Sequence, residues 1–117
     1  YNSNKFTSDL MNSYAWDTTI LFLQYCGKNA EYSNQNSLNT NSIAQTGTTN
    51  DIQCNVYDMA SNIREWSTET SDDPTGPCVY RGGSYSHNFC NTIYRDDNNI
   101  SCSVNSVGFR PILYINI

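Results

Sequence analysis

A chain of 117 residues with a net charge of −5 has room for one compact domain and no second core. Hydrophobic residues reach only 38%, but 13% aromatics (two Trp, nine Tyr, four Phe) supply anchors for a small core and argue against disorder. The acidic balance, with cations scattered at Lys5, Lys28, Arg64, Arg81, Arg95 and Arg110, excludes nucleic acid as a partner. The longest apolar run, Ile20-Leu21-Phe22-Leu23, is far too short to insert in a membrane.

The first predicted element is a helix over "SYAWDTTILFLQYCG". Ala15, Trp16, Ile20, Leu23 and, less regularly, Leu21 recur near helical spacing. Ser13 is the candidate N-cap, and Gly27 the left-handed stop. Residues 28 to 53 are Asn- and Thr-rich with little periodicity, and read as a long surface excursion with short irregular strands. Hydrophobic order returns in "CNVYDMASNIREW", and "TETSDDPTGP" is a turn-rich loop. "CVYRGGSY" alternates as a strand, and "VGFRPILYINI" reads as another, with Pro111 placing it at an edge or a bulge. A helix followed by short strands and long loops is an α+β pattern.

Five cysteines (26, 54, 78, 90, 102) form no C-x-x-C pair, so a zinc knuckle fails on spacing. At most two disulfides can form, and mostly free thiols acting as small hydrophobes are expected. The start at Tyr1, without Met, reads as a processed or trimmed product.

Three strings fall in a fixed order: "DMASNIREW" at 58–66, "RGGSY" at 81–85 and "GFRP" at 108–111. Together they resemble the signature of the formylglycine-generating-enzyme-like branch of the C-type lectin fold. That family carries a string similar to D-x-x-G-N-V-x-E-W, then R-G-G-S-[WY], then G-F-R. The resemblance covers roughly residues 8 to 115, while the family's usual N-terminal third is missing. It implies one C-type-lectin-like domain over 1–117, of short twisted antiparallel strands, one or two helices and long loops, carried as the C-terminal part of a longer protein. Ser61 stands where the family has Gly, so the turn there is expected to close differently.

Read physically, the strings are mainly scaffold. Gly82 and Gly83 allow backbone angles and approaches that a Cβ would block. Asn62, Glu65 and Arg81, set among Trp66, Tyr80 and Phe109, must satisfy one another or the backbone if buried.

The oxidase members resemble one another in R-G-G-S-Y-x-C-x-x-x-x-C, whose two thiolates hold copper. Here those positions are His87 and Thr92, with Cys90 out of register, so no catalytic residue is assigned. His87 is the sole histidine, too few for the histidine cluster of the iron-dependent relatives. The resemblance also implies a structural calcium, a cofactor whose ligands would be the carboxylates of Asp58 and Glu65 and the carbonyls of Ser61 and Ile63. The alternative is that the two carboxylates cap backbone amides or pair with an arginine.

Between Ser84 and Val107 the chain is a mixture of Ser, Tyr, Asn, Asp, Cys and Ile, and from Ser71 onward it contains no Lys, Glu, Gln, Met or Trp. Those are the types whose codons end only in a purine. An AT-rich genome would inflate Lys as well as Asn, yet there are 17 Asn against two Lys. This resembles the variable proteins of diversity-generating retroelements, where mutation of template adenines turns Asn codons into Tyr, Ser, Asp, His, Ile, Thr, Phe or Cys but never Lys or Glu. Tyr, Ser, Asn and Asp also suit an adaptable binding surface, as in antibody loops. The candidate ligand-binding residues are Tyr85, His87, Asn88, Phe89, Asn91, Tyr94, Asp96, Asp97, Asn98, Asn99, Ser101, Ser103 and Asn105, with Cys90, Ile100 and Cys102 either inward anchors or variable themselves.

The expectation is therefore a non-enzymatic module displaying a variable surface on a rigid scaffold. It would bind a protein or glycan on a cell surface and reside on a cell surface, in secretions or on a phage particle. Two readings stay open beside it: a formylglycine-generating oxidase or its degenerate relative, and a calcium-dependent lectin. The lectin reading lacks any Glu-Pro-Asn or Gln-Pro-Asp string.

Overall fold

The computed structural model of the chain describes residues 5–35, 42–87, 89–99, 101 and 104–115. Asn88, Ile100, Cys102 and Ser103 lie outside these. Strand β1 (Phe6–Leu10) leads into helix α1 (Ser13–Cys26), then a 3-10 turn at Tyr32–Asn34. A small hairpin follows, β2 (Ile52–Gln53) and β3 (Val56–Tyr57). Then come β4 (Arg64–Thr70), β5 (Cys78–Arg81), β6 (Arg95–Asn98), β7 (Val107–Phe109) and β8 (Pro111–Ile115). The main sheet has the order β6-β5-β4-β7, and β1 pairs with β8 in a separate two-stranded ribbon. This is the α+β, formylglycine-generating-enzyme type of C-type lectin-like fold. One detail departs from an all-antiparallel expectation: β7 runs parallel to β4, Glu65 opposite Gly108.

Helix α1 forms because its inward residues fall on one stripe. Trp16, Ile20 and Leu23 are buried at intervals of four and three, and pack with Met11, Tyr32 and Met59. The cap differs from expectation by one position. Asn12 is the N-cap, its side chain accepting from the Ala15 amide at 2.8 Å, while Ser13 is the first helical residue and donates its hydroxyl to Glu69. Gly27 is likewise not left-handed (φ −77); the left-handed step comes at Lys28 (φ 54).

The element before the helix has no counterpart in the sequence reading. The C-terminal stretch, in turn, is two strands rather than one. Arg110 breaks it, so that β7 joins the main sheet and Pro111 opens β8 on the ribbon, where a missing N–H is tolerated. The polar stretch 28–53 also enters the interior, where Tyr32 is fully buried and Thr49 and Asp51 are buried with it. The Tyr32 hydroxyl donates to Asp51 at 2.9 Å, and Asp51 also takes the Ala60 amide at 2.6 Å. Burial, then the Asp51 carboxylate, pushes the Tyr32 hydroxyl far above the usual tyrosine range. No helix among the described residues is long and apolar enough to cross a membrane.

Candidate functional site

The glycine motifs act as a socket for the segment that follows them. Gly82 has φ +92, and a Cβ there would run into the Trp16 ring and the Met59 carbonyl. A Cβ on Gly83 would lie inside the Ala60 carbonyl group. The backbone can therefore press against the 59–60 turn, where the Gly83 amide donates to the Met59 carbonyl at 3.1 Å. Ser61 needs no glycine, since the left-handed residues of this turn are Asp58 (φ 60) and Asn62 (φ 62). Its hydroxyl instead lies 3.2 Å from the Thr49 hydroxyl and 3.4 Å from Asp58.

Around the socket Asn62, Glu65 and Arg64 have structural work. The Asn62 side chain bridges the amide and carbonyl of Ala44, at 3.1 and 3.0 Å. Glu65 receives Arg110 on both oxygens, from Nε and Nη2 at 2.8 Å each. Burial pushes the Glu65 carboxyl up, against the pull of that guanidinium. Arg64 spreads over the Tyr80 ring, 4.6 Å from its centre, and donates to Ser106 at 2.7 Å.

The segment beyond the socket is held by its main chain. The Tyr85 amide donates to the Asn62 carbonyl (2.7 Å), the Gly82 amide to Tyr94 (3.0 Å), and the Thr92 and Ile93 amides to Gln35 and Ser33 (2.9 and 3.3 Å). The Trp16 indole N–H reaches across from α1 to the Thr92 carbonyl at 2.9 Å. Gripped this way, the segment buries Ser84, Cys90 and Thr92 and turns others outward. Phe89 is 64% and Ile93 46% exposed. His87, Phe89 and Tyr94 meet edge to face, with ring centres 5.4 and 6.0 Å apart.

Of the candidate residues, Phe89, Asp96, Ser101 and Asn105 are exposed, and Tyr85, His87, Asn91, Tyr94, Asp97, Asn98 and Asn99 are partly so. Asn88 and Ser103 fall outside the described residues. The candidates do not share one face. On β6 successive side chains alternate. Asp96 accepts from the Tyr80 and Tyr94 hydroxyls, each at 2.9 Å, while Asp97 accepts from Ser71 at 2.6 Å. Burial pushes the Tyr80 hydroxyl up to about 12, helped by its bond to Asp96. Burial raises Tyr94 in the same way. For Asp96 itself, the upward push of burial is outweighed by the hydrogen bonds it accepts, and the carboxyl is held low. Further along, Asn99 folds back to accept from the Ser101 amide and hydroxyl at 2.9 and 2.8 Å. Ile93 and Arg95 are exposed here yet absent from the candidates. Their place in a pyrimidine-codon segment is the signal that would have included them.

Neither metal implied by the resemblance fits the residues present. At the copper position, His87 bonds to the Ser86 hydroxyl through Nδ1 at 2.8 Å, and Thr92 is fully buried, donating to the Gln35 carbonyl at 3.1 Å. Cys90 is the nearby thiol: it is fully buried, and burial pushes its pKa up, away from thiolate. For calcium, Asp58 takes the Gly47 amide at 3.0 Å and the Thr49 hydroxyl, while both Glu65 oxygens sit on Arg110. A carboxylate neutralised by a guanidinium offers a cation little. Among the described residues no three His, Cys, Asp or Glu side chains converge as metal ligands, and Cys26, Cys54, Cys78 and Cys90 are unpaired.

Sheet order, glycine socket and motif string together define a formylglycine-generating-enzyme-type domain. A model of the sulfatase-modifying factor enzyme 1-like domain matches residues 7–115, and the chain belongs to that family. No curated protein and no solved structure matches it.

Proposed function

We propose that the chain is a non-catalytic binding module of this family that displays a diversified surface, built around His87, Phe89, Ile93, Tyr94 and Asp96, to a protein or glycan ligand on a cell surface. The observation that carries the reading is the way residues 82–94 are held. Main-chain amides and carbonyls tether the segment to α1 and to the 33–35 and 59–62 turns, leaving side chains such as Phe89 and Ile93 in solvent. The exposed positions of such a segment, Phe89 and Ile93 among them, tolerate exchange of side chains at little cost to stability.

Two further observations support it. The positions of the oxidase thiolates hold His87 and Thr92, and copper chemistry by this family requires both thiolates. The residue types from Ser71 onward are all reachable from codons ending in a pyrimidine, as adenine-directed mutagenesis of Asn codons would leave them. The module is in this reading a target protein of a diversity-generating retroelement, carried by a bacterial, archaeal or phage protein that acts outside the cytoplasm.

Deep sequencing of the locus in its source population tests this. Differences between copies should concentrate in codons 85–105, at positions where a nearby adenine-rich near-repeat beside a reverse transcriptase carries Asn-type codons. Differences scattered evenly along the gene, with no such repeat, would sink the proposal.

A further inference from the structure

Three guanidinium groups, Arg64, Arg81 and Arg110, lie around the socket; the Nε of Arg64 and of Arg81 finds no partner among the described residues, and of these two Arg81 lines a cleft. Arg110 turns the edge formed by Nε and Nη2 to Glu65 and receives an oxygen on each nitrogen. Arg81 is more buried, at 5% exposed, yet its Nη2 meets a single oxygen of Asp17 at 2.5 Å, and its Nε finds no partner among the described residues. A buried donor without an acceptor is costly, and a guanidinium edge is shaped to take two coplanar oxygens.

Arg81 lines a cleft of about 480 Å³ between the first turns of α1 and the sheet, together with Ser13, Tyr14, Asp17, Glu69 and Arg95 among others, and Asp17 covers the guanidinium from that side. The acids in this cleft are not equivalent. Glu69 is committed: Oε1 takes Arg95 through Nε and Nη2 at 2.8 and 2.6 Å, and Oε2 takes the Ser13 hydroxyl. The Asp17 side chain is 59% exposed, so its single bond to Arg81 is screened by water and the side chain can swing away at little cost. An anion entering in its place would also meet the positive end of the α1 dipole and the second cation, Arg95. Tyr14, 88% exposed, offers a ring at the rim.

We propose that this cleft binds a carboxylate group of a ligand, seated on the Nε and Nη2 edge of Arg81, with Asp17 as the gate that the ligand displaces. An acidic sugar and an acidic side chain present the same two oxygens, and the experiment separates them. The cleft shares Arg95 alone with residues 85–105, so the site stands or falls independently of the displayed surface.

The test follows the Arg81 Nε–H signal by nitrogen-15 NMR during titration with sodium glucuronate, with N-acetylaspartate amide, and with glucose and sodium chloride as controls. The signal should shift and saturate with one or both carboxylates and not with the controls, and the carboxylate that saturates first identifies the source. Asp17→Asn, a change at an exposed position, should tighten that binding about two- to fivefold by removing the internal competitor. Arg81→Lys keeps the charge but loses the two-donor edge. Followed through the backbone amide of Tyr14 at the cleft rim, which should saturate in the native chain, it should show no saturation while its melting curve shows that it folds. An Arg81 signal unmoved by either carboxylate in both the native chain and Asp17→Asn, or moved equally by glucose or chloride, would overturn the site. So would weaker carboxylate binding by Asp17→Asn, because Asp17 would then be part of the receptor rather than its gate.

Discussion

The socket and the displayed segment draw on the same polar alphabet and use it in opposite ways. Around 58–65 the polar groups are buried and reach far along the chain, as when Glu65 meets Arg110, Asn62 holds Ala44, and Asp58 takes the Gly47 amide. Among the described residues between 85 and 101 many side-chain bonds are short-range, as between Ser86 and His87, Tyr94 and Asp96, and Asn99 and Ser101, while long-range support comes from the backbone and from the bonds of Thr92, Arg95, Asp96 and Asp97. A buried polar residue that bridges distant parts of a chain is costly to replace; an exposed one that bonds to near neighbours is not. Burial, rather than residue type, separates them.

That contrast can be broken most sharply at Glu65. Glu65→Ala would leave Arg110 without its counter-charge, and denaturant unfolding should show a loss of about 3 kcal/mol, at the low end for a buried pair because the Arg110 side chain is 25% exposed. Gly83→Ala should cost somewhat less, about 2 kcal/mol by the same measurement, because a Cβ forces the backbone off the Ala60 carbonyl. In the displayed segment, Phe89→Ala removes a ring that is mostly in water already, and should change stability by no more than about 0.5 kcal/mol. If Phe89→Ala cost as much as Gly83→Ala, the segment would be part of the core and the contrast would fail.

Much of this frame was legible in the sequence, and what was missed has identifiable causes. The helix could be read because Trp16, Ile20 and Leu23 keep helical spacing, and the socket because Gly82 and Gly83 sit in a family string. The flanking strand "FTSDL" could not: it alternates poorly, and its partner Ile112 lies 103 residues beyond Asp9 in the chain (112 − 9). The interior role of Tyr32, Thr49 and Asp51 was hidden because a core built from a Tyr hydroxyl on an Asp leaves no apolar period to detect. For the site, composition marked the segment but not its faces. The alternation along β6 sends Asp96 and Asp97 to different partners, and codon usage carries no information about that. The half-used edge of Arg81 was equally silent, since it depends on how a helix and a sheet meet.

The tether from Trp16 to Thr92 grips a carbonyl, and those at positions 85, 92 and 93 draw on amide hydrogens. Nineteen of the twenty genetically encoded residues bring such a hydrogen; proline does not. Proline is among the residues that pyrimidine-ending triplets encode, so if the segment is diversified as proposed, these three sites would form a quiet filter against it. At all three the architecture refuses the one letter that would cut its own moorings, and at Thr92 full burial narrows the choice further.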